Sequence, residues 1–365
     1  MIPIEYYTIS FYSLLCVFLF FMLTPLFNFS IDQRVFVSNY RFSALVILLL
    51  SILFIGLRDP LGASMYLGDT AAYTRMYQTL STGNDLYSTK DPGFYFFMKL
   101  CANWISIKWF YVLCASLYVI LPYLAFKKWF GNNAFIALVM FVVSFSFWGY
   151  GINGLRNGLA TSFFIYALAG LGTNKIKSIF FMLLAYTFHQ TLLLPILTYF
   201  VTLKFTRTTL LIKLWLLMVV ISFFAGNYIQ NFTDNIISLV DFGDNRGQDM
   251  FADEYDGNKT NRGYRFDFIL YSGLPILLGY VYVIKKGFND LIYKRILHIY
   301  ILVNIVWILL IYAAYSNRIA YLSWFLMPVV MIYPLLKNNL FRKQNKLIGY
   351  LIFGSLFFTL ILLVL

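Results

Sequence analysis

Long apolar runs recur along this chain, and no other feature limits its fold as much. Ten of them stand at residues 6–27, 42–57, 108–126, 134–150, 155–172, 210–227, 266–284, 296–314, 319–336 and 347–365. A bilayer's hydrocarbon core is about 30 Å thick, and a helix of about 20 apolar residues crosses it. Inside lipid the backbone must satisfy its own polar groups, and within one segment only a helix does so. The runs therefore predict an all-α, polytopic membrane protein. Composition agrees, at 61% hydrophobic and 12% charged, against about 45–50% and about 25% in soluble domains.

An eleventh run, 178–203, is too long for one simple span and too short for two full ones. His189 interrupts it and Pro195 follows. Charge decides its parity, because cytoplasmic loops collect Lys and Arg. Read as two short helices meeting at His189, the run places 17 of the 28 basic residues inside, with only Asp32 and Asp290 of the 15 acids. Read as a single span, it would carry Lys285, Lys286, Lys294 and Arg295 to the outside. The expectation is about 12 transmembrane or half-membrane helices in one integral membrane domain, residues 1–365, with both termini outside. The first run lacks a basic leader and a small-residue cleavage site, so it reads as a retained helix. The net charge of +13 follows from the positive-inside pattern and does not imply nucleic acid.

Two longer stretches fall outside: 58–106, a loop with short helices, and 228–265. Inside loops are short, so the functional site is expected on the outer face. The stretch 149–160, Gly-Tyr-Gly-Ile-Asn-Gly-Leu-Arg-Asn-Gly-Leu-Ala, draws attention there. Arg156 stands at the start of a helix, where the macrodipole disfavours a cation, and on the face that should be poor in arginine. Arg318 repeats the pattern before the span at 319, and Arg262 and Arg265 before the span at 266. Helix starts bind anions through free N–H groups, and arginine adds forked contacts to phosphate. A shared phosphate-rich ligand would account for all of them.

Asp69 and Asp91 each read first as helix N-caps; Pro92 stands where a first helical residue favours proline. Thr70 onward looks helical through about residue 80. Arg58 closes the second run and could simply snorkel. His189 could hydrogen-bond a neighbouring helix or, largely neutral near pH 7, accept a proton. The acidic run 241–254 lacks the sixth-position glycine of an EF-hand, since Arg246 stands there. Cys16, Cys101 and Cys114 have no metal or redox spacing, and two histidines make a His-rich metal site improbable. No P-loop, nucleophile elbow or H-E-x-x-H motif occurs. Any energy source must arrive already activated, outside.

Taken in order, these pieces resemble the EpsG/Wzy type of bacterial polysaccharide polymerase. Arg58 before Gly68-Asp69-x-x-x-Tyr73 resembles the family's R…G-x-D…Y segment. Asp91-Pro92-Gly93-Phe94 resembles its acidic-x-Gly-aromatic element, where Glu is the commoner acid. Leu155-Arg156-Asn157-Gly158-Leu159-Ala160 resembles its arginine-led span, which often has Gln at the position of Asn157. Phe188-His189-Gln190-Thr191 resembles a Phe-His-x-Ser element, and Arg318 a late outer arginine. The likeness covers residues 58–334.

The resemblance implies a GT-C-like inner-membrane glycosyltransferase with its active site outside. Its donor and acceptor would be polyprenyl-diphosphate-linked oligosaccharides in the membrane lipid, and its product O-antigen, capsule or exopolysaccharide. It implies no cofactor, no metal and no nucleotide sugar; a separate chain-length regulator protein is the partner it allows. Arg156 and Arg318, helped by Arg58, Arg262 and Arg265, would hold the diphosphate. Tyr73 and Asp91 would meet sugar. His189 or Asp69 would take the acceptor proton, with His189 the first choice. Two rivals remain open at this point. A lipid-linked oligosaccharide flippase would line a lumen through the bilayer with cationic side chains, in two related halves, and a membrane O-acetyltransferase would need its histidine to reach the inner face.

Overall fold

The computed structural model describes residues 3–24, 27, 33–85, 91–239, 264–312 and 316–364. The expected second external loop therefore lies largely outside the described residues, with Arg262 and the acidic run 241–254. The described chain is helical, without strands, and is a polytopic membrane protein.

The helices are α1 (Tyr7–Leu23), α2 (Gln33–Gly56), α3 (Ser64–Leu67), α4 (Thr70–Ser81), α5 (Pro92–Ala102) and α6 (Ile107–Phe130). There follow α7 (Ala134–Val142), α8 (Phe145–Ile152), α9 (Leu155–Gly170), α10 (Lys175–Phe188), α11 (Leu193–Lys204) and α12 (Thr208–Leu239). The last five are α13 (Phe266–Tyr280), α14 (Leu291–Leu309), α15 (Asn317–Trp324), α16 (Met327–Lys337) and α17 (Gln344–Val364). Among the described residues, seven helices are long and apolar enough to cross a membrane. Shorter apolar helices accompany them.

Three expected spans differ in detail. The run 134–150 breaks at Ser144, whose backbone is extended (φ −70°, ψ 144°) and whose hydroxyl donates to the Phe141 carbonyl at 2.6 Å. Every residue of α7 is buried, as befits a helix that is apolar all round. The run 319–336 likewise divides into α15 and α16. Helix α12 continues past residue 227 to Leu239 through a kink at Ala225 (φ −108°, ψ 15°), so the start of the expected second loop is helix. The run 178–203 is two helices, as expected. His189 between them is extended (φ −156°, ψ 116°).

The chain forms two compact units, residues 1–193 with 335–365, and residues 194–334. In the first unit α9 is the central helix, with 13 of its 16 residues buried. Small residues let α6 approach it: the Ser162 hydroxyl donates to the Tyr118 carbonyl at 2.8 Å, and the Tyr118 hydroxyl to the Phe147 carbonyl at 2.9 Å. Phe94, Phe97, Phe110, Phe163 and Phe188 form a ring cluster joining α5, α6, α9 and α10, with centroids 4.9–6.5 Å apart.

In the second unit buried polar groups tie helices together, the usual substitute for hydrophobic driving force in lipid. Trp215 Nε1 donates to Asn304 Oδ1 at 2.7 Å, and Asn304 Nδ2 to Ser323 Oγ at 3.1 Å. Trp324 Nε1 donates to Ser272 Oγ at 2.7 Å.

Candidate active site

Four sequence motifs meet at one end of the first unit. Asp91 and Arg156 stand at the centre. Arg156 is the second residue of α9, and its Nη1 donates to Asp91 Oδ2 at 2.6 Å. The anion this arginine required is thus present in the chain. Asp91 is buried at 6% exposure and Arg156 only partly so, at 24%. The other carboxylate oxygen, Oδ1, accepts the Gln190 backbone N–H at 3.1 Å. Both oxygens are committed to other elements, and neither caps α5. The expected N-cap hydrogen bond is absent because Asp91 serves α9 and the α10–α11 break instead. Asp69 makes no side-chain cap bond either.

Arg156 also donates through Nε to the Tyr73 hydroxyl at 3.3 Å. Its Nη2 makes no hydrogen bond among the described residues. That leaves one face of the fork for a ligand.

His189 is held by its own connection. Its Nδ1 accepts the Thr191 backbone N–H at 3.3 Å and lies 2.8 Å from the Thr191 hydroxyl. The same hydroxyl donates to Asn157 Oδ1 at 3.2 Å, tying the histidine to α9. A backbone N–H can only donate, so Nδ1 carries a lone pair and the neutral ring's proton sits on Nε2. Burial lowers the imidazole's pKa; Asp91 opposes the shift and Arg156 adds to it.

Asp69 is exposed at the start of α4, after Gly68. Gly68 has φ +54°, and a Cβ there would collide with Asn153, so the turn needs glycine. Asn153 Oδ1 accepts the Asp69 N–H at 3.0 Å and fixes the turn against the 149–160 stretch. Asp69 is close enough to act electrostatically on Arg156.

Arg58 is placed differently from a ligand-binding arginine. It is 1% exposed. Its Nε donates to Thr70 Oγ1 at 3.0 Å, and its Nη1 to the carbonyls of Ile55 at 2.6 Å and Gly151 at 3.3 Å. The guanidinium carbon lies 4.1 Å from the Tyr111 ring centroid. It clasps the ends of α2, α4 and α8 from beneath the site.

Two further candidate arginines, Arg265 and Arg318, belong to the second unit. Arg265 forms a forked pair with Asp267 (2.9 and 2.6 Å) and stacks on Phe268 at 3.7 Å. It too has a local anion. Arg318 is exposed in the first turn of α15.

The pairing of Asp91 with Arg156, and the roles of Asn153 and Thr191, went unread in the sequence. Opposite charges in two outer motifs were the available signal for the first. Asn153 gave none, since one amide in a Gly-rich stretch has many uses.

No curated protein and no solved structure matches the chain. The ordered motifs that converge here all lie within residues 41–365, the stretch matched by the EpsG family model, and the chain belongs to the EpsG family.

Proposed function

We propose that the protein is a bacterial inner-membrane glycosyltransferase that polymerises polyprenyl-diphosphate-linked oligosaccharide repeats on the outer face. The observation that carries this reading is the junction of Asp69, Tyr73, Asp91, Arg156 and His189. They come from four distant motifs of a family-wide match, and they put a partly exposed cation beside an exposed carboxylate. That pairing suits transfer from an anionic leaving group to a neutral hydroxyl.

In the proposed reaction the acceptor sugar's hydroxyl oxygen attacks the anomeric carbon of the donor glycan. The bond from that carbon to the diphosphate oxygen breaks, and its electrons leave with the polyprenyl diphosphate. Arg156 takes the growing negative charge through its uncommitted Nη2, while Asp91 and Tyr73 hold the fork in place. Removing one such donor typically costs about 10²–10³ in rate.

The hydroxyl's proton goes to Asp69. The sequence favours His189 as the base, but its acceptor nitrogen is occupied by Thr191. It instead offers Nε2–H as a hydrogen-bond donor, to sugar or phosphate. Arg58 supports the site from below.

Deletion in the native strain tests it. Loss of a polymerase leaves single repeats on their carrier outside the cell, restored to polymer by the wild-type gene and not by Arg156→Ala or Asp69→Asn. If no lipid-linked repeat reaches the outer face, the protein is a flippase and the proposal fails.

A further inference from the structure

A second polar pocket lies at the opposite end of the α9–α10 hairpin from Arg156 and His189. It is about 260 Å³ and is lined by Lys128, Tyr166, Asn174, Lys177 and Ser178, with Phe181 at its apolar side. Two ammonium groups converge there on one ring: Lys128 Nζ is 3.9 Å and Lys177 Nζ 5.6 Å from the Tyr166 centroid.

Neither lysine has an acidic partner among the described residues, and no acid lines the pocket. Lys177 stands in the first turn of α10, where the macrodipole adds to the repulsion. The helix end itself is already served, because Asn174 Oδ1 accepts the Lys177 N–H at 2.9 Å. The excess positive charge therefore belongs to the side chains, which line the cavity and share the Tyr166 hydroxyl as a hydrogen-bond partner.

Next to the pocket at helical spacing, α6 exposes Leu124 (38%) and Ile120 (37%), one and two turns before Lys128, and α10 exposes Phe180 (59%), one turn after Lys177. A ligand here meets cations at one end and an apolar strip running along the two helices at the other. A soluble anion would use only the first. A phospholipid uses both, with its phosphate between the lysines and its acyl chains on the strip.

We infer that this pocket binds the phosphate headgroup of an anionic phospholipid, in the leaflet opposite the candidate active site. The inference does not rest on the proposed glycosyl transfer. It makes the protein's lipid preference a property of two residues rather than of its overall charge.

The test uses the full-length protein in detergent, titrated with phosphatidylglycerol or phosphatidylcholine of identical acyl chains. Retained lipid is counted by native mass spectrometry. Phosphatidylglycerol should be retained in preference, and the double variant K128Q/K177Q should weaken that preference at least about tenfold. The variant K343Q/K346Q removes the same charge outside the pocket and should leave the preference intact. Millimolar inorganic phosphate should not displace the lipid.

Equal retention of the two lipids would overturn the inference, as would equal losses in both double variants. Full displacement by inorganic phosphate would also overturn it, by making the ligand a soluble anion. Folding of each variant is checked by gel filtration. If K128Q/K177Q fails to fold, K177Q alone should cut the preference roughly fivefold, and no change would count against the site.

Discussion

At Asp91 the carboxylate turns away from the helix it begins. Local pattern predicts a cap, since Asp-Pro-Gly is a strong helix start. Tertiary structure offers a better partner, a guanidinium at 2.6 Å. A charge-assisted pair outweighs a cap bond worth about 1 kcal/mol. Arg156 was legible as an anomaly needing an anion, but its partner was not, because the two lie 65 positions apart. The histidine is argued at the same scale. Thr191 fixes its tautomer through a backbone N–H, and protonation would put a proton on Nδ1 and break that bond. Burial depresses the pKa below the ordinary value of about 6.5. A depressed pKa keeps the ring neutral as pH falls through that value, and the bond is lost only below it. With donor saturating, polymerisation rate should stay flat from about pH 7.5 past about 6.5 and fall only at lower pH. An acid limb centred at or above the ordinary imidazole value, and abolished in His189→Gln, would contradict the assignment.

Helices bring those residues together through close approaches that need small residues. Helix α5 reaches α10 at Gly93, where an added Cβ would stand 2.7 Å from Thr187 Cβ and 3.0 Å from its backbone carbon. Backbone cannot step aside as a flexible side chain can. Gly93→Ala should therefore push α5 off α10, carry Asp91 away from Gln190, and destabilise by about 1–3 kcal/mol. Thermal unfolding in detergent reads this directly; Gly83→Ala would be a poor control, since its φ of +82° adds strain. Gly354→Ala meets open space and should be neutral. An unchanged midpoint for Gly93→Ala would mean that α5 does not depend on this contact. Most helices were visible as apolar runs because lipid demands them. The break at Ser144 was not, because apolar residues continue across it and hydropathy carries no record of packing. The break between α15 and α16 has a local signal, Pro328 at the second position of α16, since proline cannot continue the helix before it.

Across the whole molecule, the charge asymmetry predicts an orientation, and the helix order turns it into a parity problem. Helix α10 has 14 residues, about 21 Å at 1.5 Å per residue, and α11 has 12, about 18 Å. Each is shorter than the hydrocarbon core of about 30 Å. A hairpin of two short helices returns the chain to the side it left, whereas one continuous span does not. Everything after residue 204 inherits that choice, including Lys285, Lys286, Lys294 and Arg295. A single span would put the exposed Lys285 on the opposite face from the basic clusters that precede α11, against the positive-inside pattern. Cysteine labelling in intact cells distinguishes the two cases. Asp85→Cys, 66% exposed in the first external stretch, should react with a membrane-impermeant maleimide. Lys177→Cys and Lys285→Cys should react only after permeabilisation. The decisive pattern is Lys285→Cys labelled from outside while Lys177→Cys stays protected. It would mean that α10 and α11 together cross once, and that the polarity of everything beyond them is reversed. The three native cysteines need not interfere, as Cys101 and Cys114 are buried and Cys16 is partly so. Protection of both lysine positions would place the basic face of the chain on one side of the membrane and the junction of Asp69, Asp91, Arg156 and His189 on the other, where lipid-linked repeats are presented in the proposed reaction.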